Sequence, residues 1–193
     1  PLHDALPIFL HGFEPMTQTS TRLWKRNDGF VADRFAHGET LEAARDTEGV
    51  ILPLEVFLAS SEAALSGNRP VGVSLKAGEK IDPLLPHLDR LAVIALNYPA
   101  FNDGRSSSKA AILRGRHGFA GELRAFGDVL VDQVPFLLRC GYDTLEVSHP
   151  LTITRLEKGV SFDPGRYYQP GTGSLPATGP AAGRFAWRRV PAA

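Results

Sequence analysis

The densest group of side chains able to do chemistry is Asn97-Tyr98-Pro99-Ala100-Phe101-Asn102-Asp103-Gly104-Arg105-Ser106-Ser107-Ser108. It lies between the apolar run Leu91 to Leu96 and a segment with helical character. A helix start presents free N–H groups, and a guanidinium with nearby hydroxyls adds charge-assisted donors. Asp103, Gly104, Arg105 and Ser108 are therefore the candidate binding set for a small oxyanion such as sulfite, sulfate or phosphate. The competing reading is local: Asp103 or a serine caps the helix and Gly104 makes the turn.

A second group is Gly121-Glu122-Leu123-Arg124-Ala125-Phe126-Gly127-Asp128. Alternation along a strand places Glu122, Arg124 and Phe126 on one face. An arginine in mid-strand needs a partner or solvent. Glu146, itself mid-strand in Thr144 to Ser148, supplies one if the two strands are neighbours. Asp128, just past the strand, is the candidate for an exposed carboxylate that moves a proton, with Arg124 as its catalytic companion. Asp132 and Gln133 follow one turn later, and Gln133 joins the candidate anion-binding residues. The competing reading makes Arg124 and Glu146 a satisfied pair without chemistry.

Other chemistry is poorly supplied. The chain has one cysteine, which excludes a disulfide scaffold, a CxxC pair and a cysteine-held cluster. Cys140 reads as a small buried hydrophobe. The six histidines are scattered without HxxxH or HExxH spacing, so no metal site is expected. No GxGxxG, GxxxxGK[ST] or GxSxG occurs, so no cofactor is encoded by a recognisable motif. With 21 Lys+Arg against 21 Asp+Glu, nothing is left over to neutralise nucleic-acid phosphates. No apolar run approaches the ~20 residues of a membrane helix.

The elements that must position these groups alternate. Leu23 to Val31 reads as a hairpin around Asn27-Asp28-Gly29. Gly49 to Pro53 is a strand, Leu54 to Leu65 a helix, Val71 to Leu75 a strand and Ile81 to Leu88 a helical or turn segment broken by prolines. Leu91 to Leu96 is a continuous apolar strand, as expected when both faces are buried. Then come helix Ser106 to Arg116, strand Gly121 to Gly127, helix Val129 to Arg139 ended by Gly141, strand Thr144 to Ser148 and a short helix Leu151 to Lys158. Strands alternating with helices define a mainly parallel α/β sheet of repeated βα units after a small N-terminal β-hairpin. Inward polar groups on successive strands suit an open or partial barrel better than a flat sheet.

The ends read differently. Leu2 to Ile8, Leu-His-Asp-Ala-Leu-Pro-Ile, matches the translation of a common sequencing-adapter stretch, so residues 1–15 are expected to be foreign and Met16 the start. Without Asp4 and Glu14 the formal charge moves from zero to +2. Residues 16–170 are expected to form one domain, and the Gly/Pro/Ala-rich residues 171–193 a flexible tail carrying a small basic-aromatic patch, Arg184 to Arg189.

Phe101-x-Asp103-Gly104-Arg105-x-x-Ser108-x-Ala110-x-x-Leu113-Arg114-x-Arg116, Gly121-Glu122-Leu123-Arg124-Ala125-x-Gly127-Asp128-Val129-Leu130-x-Asp132-Gln133 and Arg139-Cys140-Gly141-Tyr142-Asp143 together resemble the bacterial domain of unknown function 934 family. The likeness runs over most of Leu23 to Pro170. Members are commonly described as oxidoreductases of sulfite reduction and are encoded beside sulfite reductase. The resemblance implies a cytoplasmic protein of assimilatory sulfate and sulfite reduction, an oxidoreductase acting in or beside that step. The alternative is a non-catalytic accessory module that binds sulfite reductase or a sulfur oxyanion. The family brings no established catalytic residues, so the motif positions are candidates by type and place alone.

Overall fold

In the computed structural model the described residues are 20–43 and 45–159. Strands β1 (Arg22–Lys25) and β2 (Gly29–Val31) pair antiparallel as the expected hairpin. Asn27 at φ 71° and Gly29 at φ 76° take the left-handed backbone of its turn, which asparagine and glycine tolerate best. Strand β3 (Phe35–His37) follows, an element with no apolar run to announce it. The order continues with β4 (Gly49–Pro53), α1 (Leu54–Ala59), α2 (Ser61–Ser66), β5 (Val71–Leu75), a 3₁₀ segment Asp82–Arg90, β6 (Val93–Tyr98) and α3 (Arg105–Gly115). It closes with β7 (Glu122–Gly127), a 3₁₀ turn Val131–Gln133, α4 (Val134–Cys140), β8 (Thr144–Val147) and α5 (Pro150–Glu157).

Two expectations are corrected in detail and a third is made specific. The single helix over Leu54 to Leu65 is two short ones: Ser60, at φ −132°, leaves helical geometry while its hydroxyl donates to the Val56 carbonyl. The helical or turn segment around Pro83 and Pro86 is a 3₁₀ helix, Asp82–Arg90, since each proline lacks the N–H that an α-turn uses. The helix expected from Val129 starts later, at Val134, which puts Pro135 in the first turn where its missing N–H is harmless.

The sheet has eight strands in the order β2-β1-β8-β7-β6-β5-β4-β3. From β3 to β8 every neighbouring pair is parallel and the spatial order follows the chain. Sequential right-handed crossovers put all the helices on one face and leave the other as an inner surface. Geometry then forces the sheet to curl. The edge strands β2 and β3 are joined by only Ala32, Asp33 and Arg34, so Val31 and Phe35 lie within ~14 Å of each other. Eight strands laid flat would hold their edges ~34 Å apart. The result is a half-barrel, as the inward polar pattern suggested.

The core lies between sheet and helices. Leu52, Val73, Leu75, Ile94, Leu96, Leu123 and Leu145 are fully buried there, against Phe57, Leu113 and Leu137 from the helices. Each such side chain contributes roughly 1.5–3 kcal/mol. On the inner surface the apolar patch is small, Phe35, Ile51, Val93 and Ala95. Phe35 can fold inward because its neighbour is glycine: a Cβ at Gly49 would sit 2.2 Å from the Phe35 ring. Ala92 and Phe126 pack against this patch, and polar side chains, Arg124 and Glu146 among them, lie beside it.

Candidate functional site

Two groups of candidates emerge, one on the rim at the carboxyl ends of the strands and one inside. Ligands of parallel barrels bind at that rim. The rim group is built on the connections leaving β6 and β7. Asp103 accepts the backbone N–H of Arg105 at 3.2 Å and holds its guanidinium through Nε at 2.9 Å and Nη2 at 2.6 Å. Those bonds keep the Asp103 carboxyl far below its ordinary value, at about 2. Arg105 remains 62% exposed, so the pair is a surface one, worth little in stability. Gly104 is the N-cap residue without a side chain to offer, and the capping falls to Asp103.

The three serines separate. Ser106 donates to the Asn97 carbonyl at 2.5 Å and Ser107 bonds the Tyr98 hydroxyl at 2.6 Å, both buried. Tyr98 in turn meets Tyr142 at 3.1 Å, so these hydroxyls fasten α3 to the sheet. Burial raises Tyr98 to about 12 and Tyr142 well above its usual value. Ser108 alone faces solvent.

Asp128 and Gln133 act together on one residue. Asp128 accepts the Phe101 backbone N–H at 3.0 Å, and Gln133 donates to the Phe101 carbonyl at 2.5 Å while accepting from Leu130 N–H at 2.9 Å. The connection after β7 thus clasps the one after β6. The clasp needs Gly127, at φ 100°, because a Cβ there would lie 2.4 Å from the Tyr98 carbonyl oxygen. It displays the Phe101 ring in water, 60% exposed. Asp132 is exposed on the 3₁₀ turn. Arg114 binds the carbonyls of Gly141 at 3.1 Å and Gly121 at 2.8 Å and pairs with Asp143, tying α3 to two strand starts.

Inside, Arg124 is the largest fully buried side chain, 1% exposed. The expected pair with Glu146 is present at 3.1 Å, and two further carboxylates join it. Glu122 takes Nε at 2.8 Å, and Asp33 takes Nη1 at 2.7 Å and Nη2 at 3.1 Å. Glu122 also accepts from Thr144 at 2.5 Å. Burial opposes the Arg124 charge, but the three acids outweigh it and hold its proton more firmly. Three carboxylates around one guanidinium leave the interior negative, so an added oxyanion would meet net repulsion there. Arg124 and Asp128 are not brought into one constellation: one is enclosed by acids, the other grips a backbone N–H at the rim.

Asp33 and His37 were not among the sequence candidates. His37, the last residue of β3, bonds Glu146 through Nε2 at 2.9 Å and lies 5.0 Å from the Phe126 ring centre. The only signal that could have found them is the demand of a buried arginine for more than one counter-charge. Cys140 is buried, and burial raises its thiol, which stays protonated. Among the described residues, no group of His, Cys, Asp and Glu is arranged to hold a metal ion, and no helix is long and apolar enough to cross a membrane.

Fold and site together define a curled half-barrel of βα units with a clasped polar rim and an acid-ringed arginine inside. The family model for a bacterial protein of unknown function (DUF934) matches residues 72–177, more than half of the chain. The chain belongs to that family. No curated protein matches it.

Proposed function

We propose that this protein works beside sulfite reduction as an accessory binding module, with the rim at the ends of β6, β7 and β8 as its docking face. One observation carries this reading: Asp103, Arg105, Asp128 and Gln133 bind each other or backbone, and the loop that Asp128 and Gln133 clasp presents the ring of Phe101 outward. Phe136 in the first turn of α4 and Leu151 in that of α5 are also exposed, and both helices follow strands that end at this rim. Aromatic side chains held rigidly in water are the usual anchors of protein contacts. The partner, sulfite reductase, comes from the family resemblance. The test is association of the purified chain with sulfite reductase at micromolar concentration. Phe101→Ser should leave the fold intact and weaken binding about tenfold. No association by the unaltered chain would sink the proposal.

A second reading keeps the oxidoreductase. It is favoured by the exposed Arg105, whose single ion pair is weak enough for an incoming oxyanion to compete with Asp103. In that version Arg105, Ser108 and the start of α3 hold the anion and Asp128 moves a proton. Sulfite-dependent oxidation of a reduced nicotinamide or flavin by the purified protein, lost in Arg105→Gln, would establish it. Absence of turnover leaves the binding module standing.

A further inference from the structure

The interior holds a second arrangement, independent of the rim. His37 packs beside Phe126, next to last in β7, and its side chain is 39% exposed while its partner Glu146 is 10% exposed. Behind Glu146 stands Arg124, 1% exposed, itself fixed by Asp33 and Glu122. The series runs from a solvent-reachable imidazole to a buried carboxylate to a buried guanidinium. Each member is oriented by the next. Phe126 forms an aromatic wall, its ring tilted 45° to the imidazole.

We propose that His37 is a general base at the mouth of the half-barrel, oriented by Glu146, for a neutral or cationic substrate with an acidic C–H, N–H or O–H. Glu146 is ionised at neutral pH, because the imidazole and guanidinium overcome the effect of its burial and hold it below the usual glutamate value. An ionised carboxylate accepts, so the neutral ring carries its proton on Nε2 and keeps its lone pair on Nδ1. Nδ1 has no hydrogen-bond partner among the described residues. In the step, the Nδ1 lone pair takes the substrate proton and the electron pair of the broken bond stays on the substrate. The imidazolium so formed faces Glu146, with Asp33 and Glu122 around Arg124 beyond it. Those acids make the mouth unfavourable for an anion, which sets the substrate class. Glu146 and Arg124 are positioning residues.

Nitrobenzisoxazole tests the step without knowledge of the natural substrate. A base removes its ring proton, the C–H pair becomes part of a nitrile, and the N–O pair leaves on oxygen as a coloured cyano-nitrophenolate. The full chain should open it about a hundredfold faster than free imidazole at equal concentration. His37→Gln, which can still donate to Glu146, should return the rate to background, and Glu146→Gln should lower it about tenfold, with circular dichroism unchanged. A rate no greater than that of free imidazole, or one unaffected by His37→Gln, overturns the proposal. Nitrogen NMR of the unaltered protein gives a check that needs no variant: a neutral His37 ring protonated on Nε2 supports the assignment, and one protonated on Nδ1 refutes it.

Discussion

Arg124→Met removes the charge at the centre of the interior network, and with it the guanidinium that lies 5.8 Å from the Phe35 ring centre, while keeping most of the side-chain stem. The guanidinium touches three carboxylates at 2.7 to 3.1 Å, and its loss leaves them facing each other. Breaking a buried pair by deleting one partner costs roughly 3–5 kcal/mol. Glu146 bears the full penalty, being 10% exposed, whereas Asp33 at 33% and Glu122 at 25% keep some solvent. The expected loss at pH 7 is therefore near the lower end, about 3 kcal/mol. Its pH dependence follows from the direction of the Glu146 shift. A carboxyl held below its ordinary value stabilises the fold above the unfolded pKa of ~4.3 and loses that contribution as pH falls through the folded value. In the variant only His37 opposes burial, so Glu146 takes up a proton more readily and its penalty fades on acidification. Urea unfolding followed by circular dichroism at pH 7 and near pH 4.5 should show the gap between the two proteins narrowing. A loss under ~1 kcal/mol at pH 7, or a gap that holds or widens in acid, refutes the reasoning.

Asp128→Ala should cost about 1 kcal/mol, and hydrogen exchange should rise at the Phe101 amide, which loses its carboxylate acceptor. Unchanged protection there would mean that the clasp does not hold the loop. Gly127→Ala forces a Cβ to 2.4 Å from the Tyr98 carbonyl at φ 100°, and thermal unfolding should register a loss of about 2 kcal/mol or more. Tyr98, pushed up to about 12 by burial, and Tyr142, raised well above its usual value, should stay un-ionised in an alkaline absorbance titration carried past the ordinary tyrosine pKa of ~10. Both groups have raised folded values, so the stability they confer is complete below the unfolded pKa of ~10 and falls away as pH rises above it.

What could be read in advance, and what could not, follows from how far apart the cooperating residues lie in the chain. The βα alternation, the hairpin and the shared face of Glu122, Arg124 and Phe126 depend on neighbours within a few positions, where strand period and turn chemistry decide. The pair Arg124–Glu146 was also within reach, since a buried arginine on one parallel strand looks to the next. Asp33 and His37 were not, because they stand 91 and 109 residues from their partners, one in a short connection and the other on a three-residue strand without an apolar pattern. Their place is set by the closure of the sheet, which Ala32 to Arg34 impose by their shortness. The rim shows the opposite failure. Asp103, Arg105, Asp128 and Gln133 have the types and spacing of an anion site, yet sequence cannot tell a donor aimed at a ligand from one aimed at the next loop. Here the nearest acceptors are Asp103 itself and the Phe101 carbonyl, and the consequence is functional. A loop clasped through its backbone holds its side chain outward, so residues that look like binding groups become the support for an exposed ring. The proposed chemistry belongs to the interior, where, among the described residues, the His37 imidazole with the buried Glu146 carboxylate behind it meets solvent.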